Sequence, residues 1–357
     1  MSFLTRIFQR KQEQVQAIVP TPVSSAGPDG ALNQGPRISA AVPPANARPR
    51  IWAVGGGKGG VGKSLVAANM GILLAKRGKR VVLVDVDLGA ANLHTVLGMD
   101  APDDTLSCFL KNEVQDIRRL IKKTGVENLE IISGAKDSLD VVDFGGEAVK
   151  RLKDALSSLD RDYVLLDIGP GTSANMLDLF LMADEGMLVT TPMPTSIENT
   201  YRFLKCLFLR RIKNIIGAEE NTRIKELLKT ALSGHRGKSI KTVTDIIGAL
   251  KRVDGRRAEA LKGLMGNTRV SLIVNFTEKP SDREIGPLME KACMSYFSVE
   301  VTHLGDICDE WSVSDSIRLR RPLALHYGRT EAARAVDACL IKLISSERGM
   351  RLVKAGA

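Results

Sequence analysis

Aromatic residues are scarce in this sequence: Phe, Trp and Tyr make up 4% of its 357 residues, although 44% of the residues are hydrophobic. The core must therefore be packed mainly by aliphatic side chains, which is typical of α/β proteins with buried parallel strands. The length exceeds that of one typical domain and leaves room for one large domain with additions.

Paired cysteines and long apolar runs are missing as well. The five cysteines form no Cys-x-x-Cys pair, and the four histidines show no metal-ligand spacing. This pattern disfavours disulfide frameworks, zinc sites and metal-cluster carriers, and it predicts a reduced, cytoplasmic protein. No apolar run approaches the ~20 residues that cross a bilayer, and charges interrupt the first twenty positions. Neither a membrane span nor a signal peptide is expected.

Positive charge is concentrated in two parts of the chain. The net charge is +10; residues 205–265 hold 15 Lys and Arg against 6 Asp and Glu, and residues 1–50 hold 6 against 2. A basic helical surface can bind nucleic acid or anionic lipid, or it can be a solvated face that docks an acidic partner. Because Phe208 is the only aromatic residue among the bases of 205–265, a protein partner or solvated face is favoured over DNA.

The first 49 residues differ in character from the rest. Four apolar residues share one helical face near the start: Phe3, Leu4, Ile7 and Phe8. With nearby arginines and a lysine, residues 2–11 predict a short basic amphipathic helix that suits an anionic membrane surface. A frayed start or a helix docked on the protein is the alternative. Residues 20–50, rich in Pro, Ala, Gly, Ser and Asn, predict a flexible linker. We therefore place residues 1–49 outside a single domain over 50–357.

From residue 50 onward, short apolar runs alternate with segments of helical periodicity. The predicted strands lie near residues 51–55, 81–85, 129–133, 163–167, 186–191, 270–275 and 300–304. This order predicts an α/β fold: an open, doubly wound, mostly parallel sheet flanked by helices. One connection, about 208–267, is longer than a typical crossover and predicts a basic helical insertion. Its helical patterns lie near residues 198–215, 222–233 and 240–264. A last helix, about 331–345, is expected to pack on the sheet.

A glycine-rich loop joins the first predicted strand to the first helix. Residues 55–64 read GGGKGGVGKS between two apolar segments, which is the context of a phosphate-binding loop. Backbone N–H groups of such a loop turn toward phosphate oxygens, Lys63 reaches the β- and γ-phosphates, and the Ser64 hydroxyl can ligate Mg²⁺. The residues predicted to bind the nucleotide here are Gly57, Lys58, Gly59, Gly60, Val61, Gly62, Lys63 and Ser64.

Three aspartates end buried strands. Asp85 and Asp87 follow the run Val81–Val84 at alternate positions, so both point toward the loop end of the sheet. Asp167 ends the run YVLLD, a Walker B pattern, and is expected to hold Mg²⁺ through water.

The sequence from Lys58 to Ser64 resembles the deviant phosphate-binding loop of the MinD/ParA superfamily of ATPases. Four later stretches resemble that family's switches and strand ends in order, so the resemblance covers roughly residues 50–204 and 268–347. It implies ATP and Mg²⁺ as cofactors and an ATP-dependent homodimer. It further implies that Lys58 crosses the dimer interface to the partner's nucleotide, and that Asp85 supports Mg²⁺ and its waters. Asp87 would orient the attacking water.

The same resemblance implies two further contacts and shows three departures. The N–H of Gly171 would bond the γ-phosphate, and Asn275 would read the adenine edge. Gly169 stands where the family usually has proline, and Met193 stands where it has glutamate. Leu65 replaces a second hydroxyl after the loop, which is similar to the flagellar-number regulator branch.

The expected function is a switch ATPase that controls the position or number of a cellular assembly, such as flagella or the division site, through a regulatory or assembly protein partner. It would act in the cytoplasm, with the inner face of the cell membrane as an additional expected location. A partition-type ATPase that binds DNA in its ATP state is the first alternative. A metabolic ligase or a regulatory scaffold on the same fold is the second.

Overall fold

The computed structural model describes residues 48–134, 145–217, 222, 225–226, 243–266, 269–297 and 300–355. The predicted amphipathic start, the predicted linker and most of the predicted helix near 222–233 lie outside these residues. No helix in the described part of the chain is long and apolar enough to cross a membrane.

Eight strands form one sheet in the described part of the chain. They are β1 (Arg50–Gly55), β2 (Val81–Asp85), β3 (Lys122–Lys123), β4 (Leu129–Ile132), β5 (Tyr163–Asp167), β6 (Glu185–Thr190), β7 (Val270–Thr277) and β8 (Val301–Cys308). The strand order is β3-β4-β2-β5-β1-β6-β7-β8, and every pair is parallel except β3 with β4. The predicted mostly parallel α/β sheet is therefore confirmed.

Helices cover the sheet. Their bounds are α1 (Lys63–Lys76), α2 (Leu93–Val96), α3 (Leu106–Leu110), α4 (Gly146–Ser157), α5 (Ala174–Leu181), α6 (Pro194–Gly217), α7 (Val243–Lys251), α8 (Gly255–Gly266), α9 (Ile285–Phe297), α10 (Trp311–Arg318), α11 (Leu323–His326) and α12 (Glu331–Ala355). Short 3₁₀ turns lie at Ile117–Leu120 and Pro280–Glu284.

The structure differs from the sequence prediction at three elements. The predicted helix over 240–264 is wrong as one element: α7 and α8 are separate, because Oδ1 of Asp254 accepts the Arg257 N–H at 3.0 Å and starts a new helix. The strand β3 was not predicted, since two residues carry no periodic pattern. The last helix continues to Ala355, beyond the predicted end near 345.

The buried helix α1 holds the glycine loop in place. It packs against the sheet, and nearly all of its side chains are buried. Its one buried amide, Asn69, donates to the Leu65 carbonyl at 2.7 Å and accepts the Ala324 N–H at 2.7 Å. These bonds satisfy a polar group in the core and tie α1 to α11. The helix that follows the glycine loop is thus buried and bonded to α11.

The sheet reverses its strand order at β1, and this position decides where the site lies. β1 lies between β5 and β6, while the chain from β1 crosses to β2 on the far side of β5. In such sheets, ligands bind outside the carboxyl ends of the strands at the switch point. In register, Val54 pairs with Asp167, and Asp167 pairs with Asp85.

Candidate functional site

The glycine loop closes over the amino end of α1. Gly62 is the N-cap of this helix and has φ 90° and ψ 24°, in the left-handed region. A β-carbon on Gly62 would lie 2.1 Å from Nδ2 of Asn275. Glycine is therefore required here both for its backbone conformation and for the close approach of β7.

Lys63 is the buried cation of the site. Its side chain is 7% exposed, and Nζ lies 3.4 Å from the Lys58 carbonyl oxygen, to which it donates. Burial lowers the pKa of the Lys63 ammonium, and the charges of Asp167 and Asp87 partly oppose that change. A buried cation at the end of a glycine loop is a site for an anion.

Two carboxylates face each other across β2 and β5. Asp85 is fully buried and accepts the N–H groups of Asp87 at 3.1 Å and Leu93 at 3.0 Å. Burial, followed by the charge of Asp167, raises the pKa of Asp85 to about 8. Burial also raises the pKa of Asp167 to about 6, against the effects of the Ser64 hydrogen bond and the Lys63 charge. Two buried carboxylates side by side favour a cation between or beside them.

The donor set fits Mg²⁺ with a bound phosphate. Oδ1 of Asp167 is buried without a hydrogen-bond partner, and the other contact of this side chain is the Ser64 hydroxyl. Within the described residues, no group of three His, Cys, Asp or Glu side chains could hold a metal alone. Mg²⁺ is commonly held by one or two carboxylates together with substrate phosphates and waters, so this site suits it. Asp167, Ser64 and Asp85 are the residues that would hold it.

Asp87 extends from β2 toward the loop that follows β5. A β-carbon on Gly169 would lie 2.9 Å from Cγ of Asp87. The charge of Asp87 influences the pKa of Lys63 and of Asp167. Asp87 is therefore part of the same cluster. The sequence alone shows Gly169 as a departure from the family pattern and does not indicate this contact.

Lys58 lies apart from this cluster. Nζ of Lys58 donates to Oγ1 of Thr195, at the start of α6, over 3.3 Å, and the contact is exposed. Thr195 is the last residue of the stretch TTPMPT, residues 190–195, and the sequence alone gave it no role. Nearby Met193, at the position where the family has glutamate, is 56% exposed. The two lysines of one loop thus have different surroundings.

The structure also gives the surroundings of three other positions that the sequence analysis named: Asn275, Gly171 and Leu65. Asn275 is fully buried; Nδ2 donates to the Val61 carbonyl at 2.9 Å, while Oδ1 has no hydrogen-bond partner. Its role in reading the base stays a prediction. Gly171 has φ 103° and no atom near its missing side chain. Leu65 is 3% exposed and packs in the hydrophobic core, a place where a second hydroxyl would need a partner.

Residues 48–230 match the ParA family model, described as "NUBPL iron-transfer P-loop NTPase". The chain is 32% identical over 185 residues to the chloroplastic septum site-determining protein minD homolog of Arabidopsis thaliana, covering 50% of this chain and 57% of that protein. It is 33% identical over 162 residues to the antiactivator FleN of Pseudomonas aeruginosa, covering 44% and 56%. The chain thus spans little more than half the length of these curated relatives.

The fold has solved counterparts. The septum site-determining protein MinD of Pyrococcus horikoshii, complexed with Mg-ADP, superposes with a TM-score of 0.56 at 21% identity, covering 83% of this chain and 96% of that one. The family model covers more than half of the chain and includes the glycine loop, both aspartate-bearing strands and β6. The chain therefore belongs to the ParA/MinD family of P-loop NTPases.

Proposed function

We propose that this protein is an ATP-dependent, dimerising switch ATPase that controls the position or number of a cellular assembly such as flagella or the division site. The observation that carries the proposal is the contrast between the two loop lysines. Lys63 is buried beside carboxylates, whereas the Lys58 side chain is exposed and its ammonium donates to Thr195. A cation that its own site does not use is available to a second copy of the chain.

Each group around the loop has a separate task. Mg²⁺-ATP, when bound, supplies the transferable γ-phosphoryl group and a cation that neutralises its charge. Lys63 would bind the phosphates, while Ser64, Asp85 and Asp167 would hold the metal and its waters. Asp87 orients the attacking water. Lys58 leaves Thr195 to complete the site of the partner subunit, so hydrolysis depends on dimer formation and the lifetime of the ATP state sets the signal.

The buried amide of Asn275 favours adenine. One N–H of its NH₂ group donates to the Val61 carbonyl, while Oδ1, an acceptor, has no hydrogen-bond partner among the described residues. An acceptor pairs with the exocyclic amine of adenine and repels the carbonyl of guanine at that position. We therefore expect ATP to be preferred over GTP.

The test uses the Asp87→Ala variant. This change spares the phosphate-binding groups, so the variant should bind ATP and Mg²⁺, dimerise and stall. Size-exclusion chromatography should show a persistent dimer with ATP and a monomer with ADP, while wild-type protein returns to monomer as ATP is consumed. The matched control, Lys58→Ala, should bind ATP but fail to dimerise stably. An Asp87→Ala variant that hydrolyses ATP at the wild-type rate would move the catalytic role elsewhere.

The basic residues of the chain support a proposal for where the protein acts and which partners it binds. Residues 2–11 would bring the dimer to an anionic membrane surface at the inner face of the cell membrane, and a regulatory or assembly protein would read the ATP state. The α7–α8 pair exposes four cations: Lys251, Arg252, Arg256 and Lys262. They suit an acidic protein partner and also favour the alternative, a partition-type ATPase on DNA. DNA binding that requires ATP and weakens with salt would favour that alternative.

A further inference from the structure

The Asp87 carboxylate lies directly against the backbone of Gly169. A β-carbon built on Gly169 would lie 2.9 Å from Cγ of Asp87 and 3.0 and 3.2 Å from its two carboxylate oxygens. All three distances are shorter than ordinary van der Waals contact. A β-carbon at position 169 would therefore displace the carboxylate from the place that it has in this chain.

Contact, and not hydrogen bonding, holds the Asp87 side chain. Among the residues that the structure describes, hydrogen bonds involve the Asp87 backbone, whose N–H donates to Asp85 and whose carbonyl accepts from Ala90. The carboxylate itself has no such bond in that part of the chain. Its position is thus set by the contact with Gly169 together with the charge of the nearby Lys63.

We propose that Gly169 is a positioning residue: its missing side chain provides the seat that places the Asp87 carboxylate for hydrolysis. The inference rests on the proposed function, in which Asp87 orients the attacking water. A β-carbon at this position would push the carboxylate aside by at least a few tenths of an ångström. Displacements of about 1 Å at a reacting centre cost roughly 10²-fold in rate.

The kinetic test is Gly169→Ala, compared with Gly263→Ala. Gly263 lies in α8 with no atom within 4 Å of an added β-carbon, so this control should behave like wild type. In Gly169→Ala, single-turnover hydrolysis should slow by about 10-fold or more, while calorimetry should give an unchanged Kd for a non-hydrolysable ATP analogue. Turnover at the wild-type rate, or a loss that lies entirely in Kd, overturns the proposal.

A second test needs no nucleotide. Thermal unfolding of the nucleotide-free protein is measured for wild type, Gly169→Ala, Asp87→Ala and the double variant. Gly169→Ala should lower the melting temperature by about 2–4 °C, and the decrease should vanish once Asp87 is alanine, because the clash is then removed. Equal decreases in both backgrounds overturn the proposal, since the cost would then come from the backbone. A wild-type protein that hydrolyses no ATP would refute the proposed function, while this cycle would still decide whether Gly169 seats Asp87.

Discussion

The contact between Gly62 and Asn275 gives a prediction whose size can be worked from the structure. Gly62 has φ +90°, and a β-carbon there would lie 2.1 Å from Nδ2 of Asn275 and 3.3 Å from the Phe276 ring. The left-handed backbone alone costs a non-glycine residue about 1–2 kcal/mol. Displacing the buried amide also breaks its bond to the Val61 carbonyl and leaves a donor unsatisfied, at about 1–3 kcal/mol. We therefore expect Gly62→Ala to lower the free energy of unfolding by about 2–5 kcal/mol.

Gly60 supplies the matched control. It also has a positive φ, +75°, but no atom lies within 4 Å of its missing side chain. Gly60→Ala should therefore carry only the backbone cost of about 1–2 kcal/mol. The difference between the two variants isolates the clash with Asn275.

Urea denaturation of the nucleotide-free protein, followed by circular dichroism, measures both variants. The m-values should stay equal, so that the midpoints report stability. In an Asn275→Ala background, Gly62→Ala should approach the cost of Gly60→Ala, because most of the obstruction is gone. If Gly62→Ala and Gly60→Ala lose the same free energy in the wild-type background, the amide does not rest on the loop, and the reasoning fails.

Three further predictions concern binding, pH and the membrane. Lys63→Ala should abolish ATP binding in calorimetry with circular dichroism unchanged, whereas Lys58→Ala should still bind; equal affinities in both would refute the loop assignment. Burial raises the pKa of Asp85 to about 8, so the folded state binds more protons than the unfolded state above about pH 4, and nucleotide-free stability should fall as pH rises toward about 8. Asp85→Asn should flatten that slope in melting experiments; an unchanged slope would contradict it. Anionic liposomes should pellet the protein with ATP more than with ADP, because two weak anchors gain about 10²-fold together. That gain should be lost in Ile7→Glu and on deletion of residues 2–11, and equal pelleting of the deleted protein would exclude this anchor.

Most of the fold could be predicted because buried parallel strands leave a plain pattern in the chain. The runs at 81–85 and 163–167 are continuous, apolar and end in aspartate, and the structure has them as β2 and β5. The errors lie where the pattern is short or broken by one side chain. Asp254 splits a helical run by capping a new helix, and helical periodicity does not report such a break.

The sequence itself determined the phosphate loop, the aspartates at the strand ends and the family. These features depend on residues that are neighbours in the chain. Only the tertiary structure decided how the groups meet. Three contacts join residues that are far apart in sequence: Gly169 with Asp87, Asn275 with Gly62, and Lys58 with Thr195. These contacts follow from the strand order, which brings the carboxyl ends of β2, β5, β1, β6 and β7 next to one another. The spacing of residues along the chain does not specify that strand order.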